Sequence, residues 1–177
     1  SYTGDFTIKL GADNDSIVAI RTLAGDSIDM GAGDDQVNIY VNSGEAVNVH
    51  SLAKLDGGAG IDTLSFEVSG YGEAGATLTL THRGATNFEN LTGTSQNETI
   101  NGDNNANVLS GGDGADTING NGGNDKLDAG SGDSSANTLN GGAGDDTLTG
   151  HGGADTLDGG TGADTITSGS GADTIVL

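Results

Sequence analysis

The chain has no cysteine, no proline and no tryptophan, and only three Phe and three Tyr among 177 residues. Without cysteine there are no disulfides, no zinc–thiolate sites and no thiol nucleophile, a usage mildly typical of exported bacterial proteins. With 32% hydrophobic content and so few rings, there is no material for a thick globular core, and a thin core of aliphatics is what remains. Basic residues are equally scarce. Lys9, Arg21, Lys54, Arg83 and Lys126 stand far apart against 26 acidic residues, for a net charge of −21. Nucleic acid is therefore excluded as a partner for want of a basic patch, and anionic membrane surfaces are disfavoured for the same reason. No apolar run approaches the roughly 20 residues of a membrane span, so direct membrane insertion is not expected, and no basic-then-apolar leader opens the chain. The chain begins without Met and stops at Ile175-Val176-Leu177 within an apolar pattern, which reads as a piece of a longer protein.

What the chain does have is glycine, 34 residues of it, set in a nine-residue period. From Gly93 it divides into GTSQNETIN (93–101), GDNNANVLS (102–110), GGDGADTIN (111–119), GNGGNDKLD (120–128), the longer AGSGDSSANTLN (129–140), GGAGDDTLT (141–149), GHGGADTLD (150–158), GGTGADTIT (159–167) and SGSGADTIV (168–176). The eighth position is always aliphatic: Ile100, Leu109, Ile118, Leu127, Leu139 in the long unit, Leu148, Leu157, Ile166 and Ile175. The sixth is mostly Asp, with Glu98 and Asn107 in the two leading units.

Fainter copies lie further upstream. MGAGDDQVN (30–38) and GGAGIDTLS (57–65) fit well, while 10–18 and 21–29 keep only the Asp and the aliphatic. The chain thus reads as a divergent β-rich region over 1–92, with degenerate repeats at 10–38 and 57–65, followed by a regular array over 93–177. Thr63 to Val68 and Ala76 to Thr81 read as longer strands, joined as a hairpin turned at Ser69 to Gly75.

Helix is disfavoured, since a glycine in a helix interior costs up to about 1 kcal/mol and one recurs every few residues. The natural unit is a six-residue turn and a three-residue strand whose central aliphatic points one way and its flanks the other. Stacked laps then build two short parallel sheets around a ladder of Leu and Ile, and no lap buries its side chain alone. Stacking also superimposes the carboxylates: between Asp113 and Asp173 there are eleven aspartates and one lysine. Like charges so placed repel, and a hard cation resolves the conflict. Calcium takes six to eight oxygens, and glycine lets the backbone adopt the positive φ that turns carbonyls toward such an ion.

GGDGADTIN, GGAGDDTLT and GGTGADTIT meet every fixed position of GGxGxDxUx, and the chain here resembles the RTX, or haemolysin-type calcium-binding, family. The resemblance implies an all-β fold, a right-handed parallel β-roll with two nonapeptides per lap and calcium ions between the turns of alternate repeats. It implies one column of Asn107, Asp125, Asp146 and Asp164, and another of Glu98, Asp116, Asp133 or Asn137, Asp155 and Asp173. Candidate ligands are Asp116, Asp125, Asp133, Asp146, Asp155, Asp164 and Asp173, with backbone carbonyls of the glycine turns at Gly112, Gly114, Gly123, Gly142, Gly144, Gly153, Gly160, Gly162, Gly169 and Gly171. Asp35 and Asp62 join them from the fainter copies. The pairs Asp125 with Asp146, Asp146 with Asp164 and Asp155 with Asp173 are the best cages expected; a full site at Asn107 is not expected.

The same resemblance implies type I secretion of an unfolded chain, folding in extracellular calcium, and a place at the bacterial cell surface. Two parents fit: an S-layer or adhesin scaffold, with neighbouring domains or copies as partners, or a calcium-binding carrier domain of an exoenzyme or pore-forming toxin. Catalysis within the chain is not expected. No G-x-S-x-G, Walker A or H-E-x-x-H occurs, and Gly70 to Gly75 fits G-x-G-x-x-G but precedes a strand-like ATLTLT instead of a helix. His50, His82 and His151 are isolated, and His151 is read as filling a freely variable repeat position.

Overall fold

The structure is a computed structural model that describes residues 7–18, 27–42, 54–69, 76–79, 85–132 and 134–177. Short strands separated by glycine turns, each with an aliphatic between two polar residues, leave only one way to hide apolar surface, which is to stack. The described residues are accordingly all strand and turn, and every strand pairing among them is parallel.

One face of this β-solenoid is a continuous sheet of eight strands. In stacking order these are β2 (Ser16–Val18), β4 (Gln36–Asn42), β6 (Thr63–Ser69), β9 (Asn90–Thr92), β11 (Val108–Ser110), β13 (Lys126–Asp128), β15 (Thr147–Thr149) and β17 (Thr165–Thr167). The other face is broken in two. Its first part holds β1 (Thr7–Lys9), β3 (Ser27–Asp29), β5 (Lys54–Asp56) and β8 (Ala85–Thr86). Its second holds β7 (Ala76–Thr79), β10 (Glu98–Asn101), β12 (Thr117–Gly122), β14 (Thr138–Ala143), β16 (Thr156–Thr161) and β18 (Thr174–Val176).

In-register pairing lines up the core. On the unbroken face Ile17, Val37, Leu64, Leu91, Leu109, Leu127, Leu148 and Ile166 stack as one column. Facing it, Ile100, Ile118, Leu139, Leu157 and Ile175 form the second. From Ile100 to Leu157 every eighth-position side chain is fully buried. Each such Leu or Ile contributes about 1.5–3 kcal/mol of burial. In the last lap the cover ends and Ile175 is 47% exposed.

Two expectations need correction. The segments at 63–69 and 76–79 are strands but not a hairpin: β6 pairs in parallel with β4 and β9, and β7 pairs in parallel with β10 in a different sheet. The period-two pattern that identifies a strand carries no information on direction, and here the laps above and below supply the partners; the proposed turn at 70–75 lies outside the described residues. Strands of three residues are also too short a reading for β12, β14 and β16, which run six residues because turn residues Asn121 and Gly122 pair with Gly142 and Ala143, and those with Gly160 and Thr161.

Candidate metal centre

Each sixth-position residue stands at the end of a glycine turn, immediately before the strand that anchors it to the core. Its backbone amide points along the stack and meets the sixth-position side chain of the next lap. Asn107 N donates to Asp125 Oδ1 at 2.8 Å, Asp125 N to Asp146 Oδ1 at 2.8 Å and Asp146 N to Asp164 Oδ1 at 2.9 Å. On the opposite edge Glu98 N donates to Asp116 Oδ1, Asp116 N to Asn137 Oδ1, Asn137 N to Asp155 Oδ1 and Asp155 N to Asp173 Oδ1, at 2.7 to 3.1 Å. The upstream region does the same: Asp15 N meets Asp35 Oδ1, Asp35 N meets Asp62 Oδ1 and Asp62 N meets Glu89 Oε2. Asp133 lies outside the described residues.

These bonds use one oxygen of each carboxylate. The other, Oδ2, is buried and has no hydrogen-bond partner in Asp35, Asp62, Asp125 and Asp146. Leaving a charged group so placed is costly unless something compensates it. The surroundings show where compensation would come from. A Cβ added to the first-position glycine of the same turn (Gly111, Gly120, Gly141 or Gly150) would collide with the Oδ2 of Asp116, Asp125, Asp146 or Asp155. The carbonyl oxygens of Ala129, Gly141, Gly159 and Ser168, one lap further, lie 2.5 to 2.7 Å from those same points. A carboxylate oxygen and a backbone carbonyl thus converge beneath a glycine that has no side chain to fill the space. All-oxygen donors, negative charge and flexible geometry are what calcium selects, and the residues present fit it. Among the described residues no three acidic or imidazole groups gather in one place, so an ion held here would need backbone carbonyls or water besides the carboxylates.

All ten glycines marked as carbonyl donors have positive φ. The requirement is steric as well as torsional, since a Cβ on Gly144 would collide with the Gly123 carbonyl of the preceding lap. The carbonyls that meet these points beside the carboxylates, however, belong to the first position: Gly141 and Gly159, with Ala129 and Ser168 standing in where glycine is absent. None of these four is among the ten glycines expected from the sequence.

The replacements of aspartate are informative. Asn137 keeps the stacking bond but turns its amide nitrogen to the Ser135 carbonyl at 3.3 Å, a donor where its neighbours hold an anionic oxygen. Asn107 accepts from Asp103 N through Oδ1 at 2.9 Å and buries an unpartnered Nδ2. Glu98 folds back on its own turn, where Thr94 supplies both an N–H and a hydroxyl, so neither oxygen is left over.

A second set of side chains was missed. Fifth-position Asn and Asp residues staple adjacent laps: Asn14 Oδ1 accepts from Asp34 N, Asp34 Oδ1 from Ile61 N, Asn97 Oδ1 from Ala115 N, Asn124 Oδ1 from Asp145 N and Asp145 Oδ1 from Ala163 N, at 2.8 to 3.0 Å. The signal was present in the recurrent Asn or Asp immediately before the sixth position. His151 is likewise not at a free position. It occupies the second glycine's place with φ +63°, a left-handed conformation, and its Nε2 lies 2.8 Å from Asp128 Oδ1.

Burial raises the carboxylates' affinity for protons. Desolvation pushes Asp125 up to about 6, against the lowering effect of the Asn107 N–H, with the charges of Asp146 and Asp103 adding to the rise. Asp146 is raised by desolvation and then by Asp164 and Asp145. Asp62 is raised the same way, with Glu89, Asp35 and Asp34 contributing, and Glu98 is raised by desolvation.

No curated protein is significantly similar to the chain. The RTX calcium-binding nonapeptide repeat does match it, in four overlapping copies at residues 92–127, 101–136, 131–166 and 152–177. Residues 92–177, whose turns carry the stacked carboxylates and the glycines of positive φ, are thus an array of RTX calcium-binding nonapeptide repeats.

Proposed function

We propose that the chain is a calcium-triggered structural module of a large secreted bacterial cell-surface protein of the S-layer or adhesin type. It stays unfolded in the low calcium of the cytosol, leaves by type I secretion and folds outside the cell. The buried, unpartnered carboxylate oxygens of Asp35, Asp62, Asp125 and Asp146 carry this reading. Carboxylates one lap apart, about 4.8 Å, repel by about 3–4 kcal/mol at an effective dielectric near 20. Asn107 and Asn137 interrupt the two columns, which leaves about one such contact per lap in the regular array; that offsets a large part of the burial of the lap's two aliphatic residues, about 1.5–3 kcal/mol each, and weakens the roll without ions. Calcium binds the assembled turns and not the open chain, which makes its binding energy folding energy. The ligands in this reading are Asp116, Asp125, Asp146, Asp155, Asp164 and Asp173 with the carbonyls beside them, and Asp35 and Asp62 in the upstream laps.

The test is a far-ultraviolet circular dichroism titration of the chelator-stripped chain with calcium, with magnesium as the control for charge screening. A cooperative gain of β signal with calcium alone is expected. A chain already β-rich without calcium, or equally responsive to magnesium, would refute the switch. Calcium-induced formation of ordered sheets by the parent protein would support the surface-scaffold role.

A further inference from the structure

The period places a glycine after most ninth-position residues, and in three units of the regular array that residue is asparagine. The steps are Asn101-Gly102, Asn119-Gly120 and Asn140-Gly141, with a fourth at Asn121-Gly122 in the following turn. Asparagine before glycine is chemically labile. The glycine backbone nitrogen attacks the side-chain amide carbon, a C–N bond forms, and the amide nitrogen leaves as ammonia, taking up the backbone proton. Water then opens the cyclic imide at either carbonyl, giving aspartate or isoaspartate. The reaction needs a backbone free to bring the two groups together, and glycine imposes no Cβ obstruction.

The roll denies it that freedom. Asn101, Asn119 and Asn140 are direct partners on adjacent strands. Gly102 N is held by the Asn119 carbonyl at 2.8 Å, and Gly122 N by the Asp103 carbonyl at 3.2 Å. The side chains are held too: Asn119 Nδ2 donates to Asn101 Oδ1 at 2.9 Å and Asn121 Nδ2 to the Gly102 carbonyl at 3.0 Å.

We propose that these four asparagines are deamidation sites gated by the fold, protected in the calcium-loaded roll and reactive in the open chain, and that their conversion bars the chain from folding. The proposal rests on the calcium-dependent folding argued above. The damage is specific to this architecture. Aspartates at 101, 119 and 140 would stack on one another and on Asp158, which already pairs with Asn140, and like charges directly opposite destabilise a sheet. Isoaspartate adds a backbone carbon in a strand whose side chains must alternate with period two. A chain left too long without calcium thus loses the ability to fold.

The chain is aged at mildly alkaline pH in calcium or in chelator, with intact mass, peptide mapping and circular dichroism read on the same samples. Deamidation at the four steps is expected to run roughly tenfold or more faster in chelator, since protected groups react only through opening. The β signal recovered on adding calcium should fall in step with it. Equal rates while calcium visibly folds the chain would overturn the proposal by showing that the ladder does not protect. Equal rates with no calcium response would overturn it too, and would trace the failure to the folding switch itself. The combined variant Asn101→Gln, Asn119→Gln, Asn121→Gly and Asn140→Gln, with glycine at the position whose φ is +75°, should keep its refolding after ageing. Should that variant not fold at the outset, the wild-type correlation decides, and full refolding of aged, deamidated wild type refutes the loss of folding.

Discussion

Between Asp15 and Glu89 the turns joined by side-chain-to-amide bonds are 20, 27 and 27 residues apart. Between Glu98 and Asp173 they are 18 or 21 apart. The upstream laps fill their interior with Met30, Phe66 and Phe88 as well as aliphatics, whereas the downstream laps use Leu and Ile at every eighth position. Yet Asp35 and Asp62 present the same unpartnered Oδ2 as Asp125 and Asp146. What the two regions share is the link from one sixth-position amide to the next carboxylate, and what they do not share is spacing. The repeat family is recognised in the second region alone, because its pattern is a pattern of spacing.

Leu148→Asp puts a charge into the fully buried column and should abolish calcium-induced structure in the laps around it, while hydrogen exchange still reports protection in the upstream laps, since each lap of a solenoid leans only on its neighbours. Loss of protection everywhere would mean that the two regions fold as one unit.

A smaller effect should follow from filling the space beneath a first-position glycine. Gly141→Ala drives a Cβ against Asp146 Oδ2 and the Gly159 carbonyl, and Gly57→Ala against Asp62 and the Asn87 carbonyl. Each should remove about one bound calcium by calorimetry. Loss from Gly141→Ala alone would show that the upstream carboxylates hold no ion, and would sharpen the boundary between the regions.

Proton binding supplies the next test. Asp125, at about 6, and the raised Asp62, Asp146 and Glu98 bind protons more tightly in the folded state than in the open chain. Without calcium the folded state is therefore favoured below the unfolded carboxylate range and loses stability as pH rises through about 6. The β signal of the chelated chain should increase from pH 7 toward pH 4, in both regions if Asp62 behaves as Asp125 does. A flat profile would argue against the burial of these groups.

The smallest change is expected at the staples. Asp145→Ala frees the amide of Ala163 and Asp34→Ala that of Ile61, each exposed to solvent, so each should cost about 0.5–1.5 kcal/mol by calcium-saturated denaturation. Calcium stoichiometry should not move.

Much of the fold was legible because one side chain per nine residues settles it: Leu109, Leu127 and Leu148 could face nowhere but inward, and parallel stacking followed from the period. Which carboxylates meet was legible for the same reason. Direction was not, beyond Ser65, where the repeat copy at 57–65 ends and alternation alone was silent on partners. Nor were the carbonyls of Gly141 and Gly159, since a backbone group leaves no mark on the sequence beyond the absence of a side chain. His151 misled because a single departure from glycine resembles tolerance, and only φ reveals that the constraint remained.

The unbroken eight-stranded face also makes the molecule a ruler. Strands in a sheet advance about 4.8 Å apiece, so seven steps along that face give a rise of about 34 Å. Gaining or losing a pair of repeats alters the length by one such step and leaves the cross-section alone. A lineage could therefore adjust the reach of whatever this segment carries in small equal increments, by copying or deleting DNA within the array.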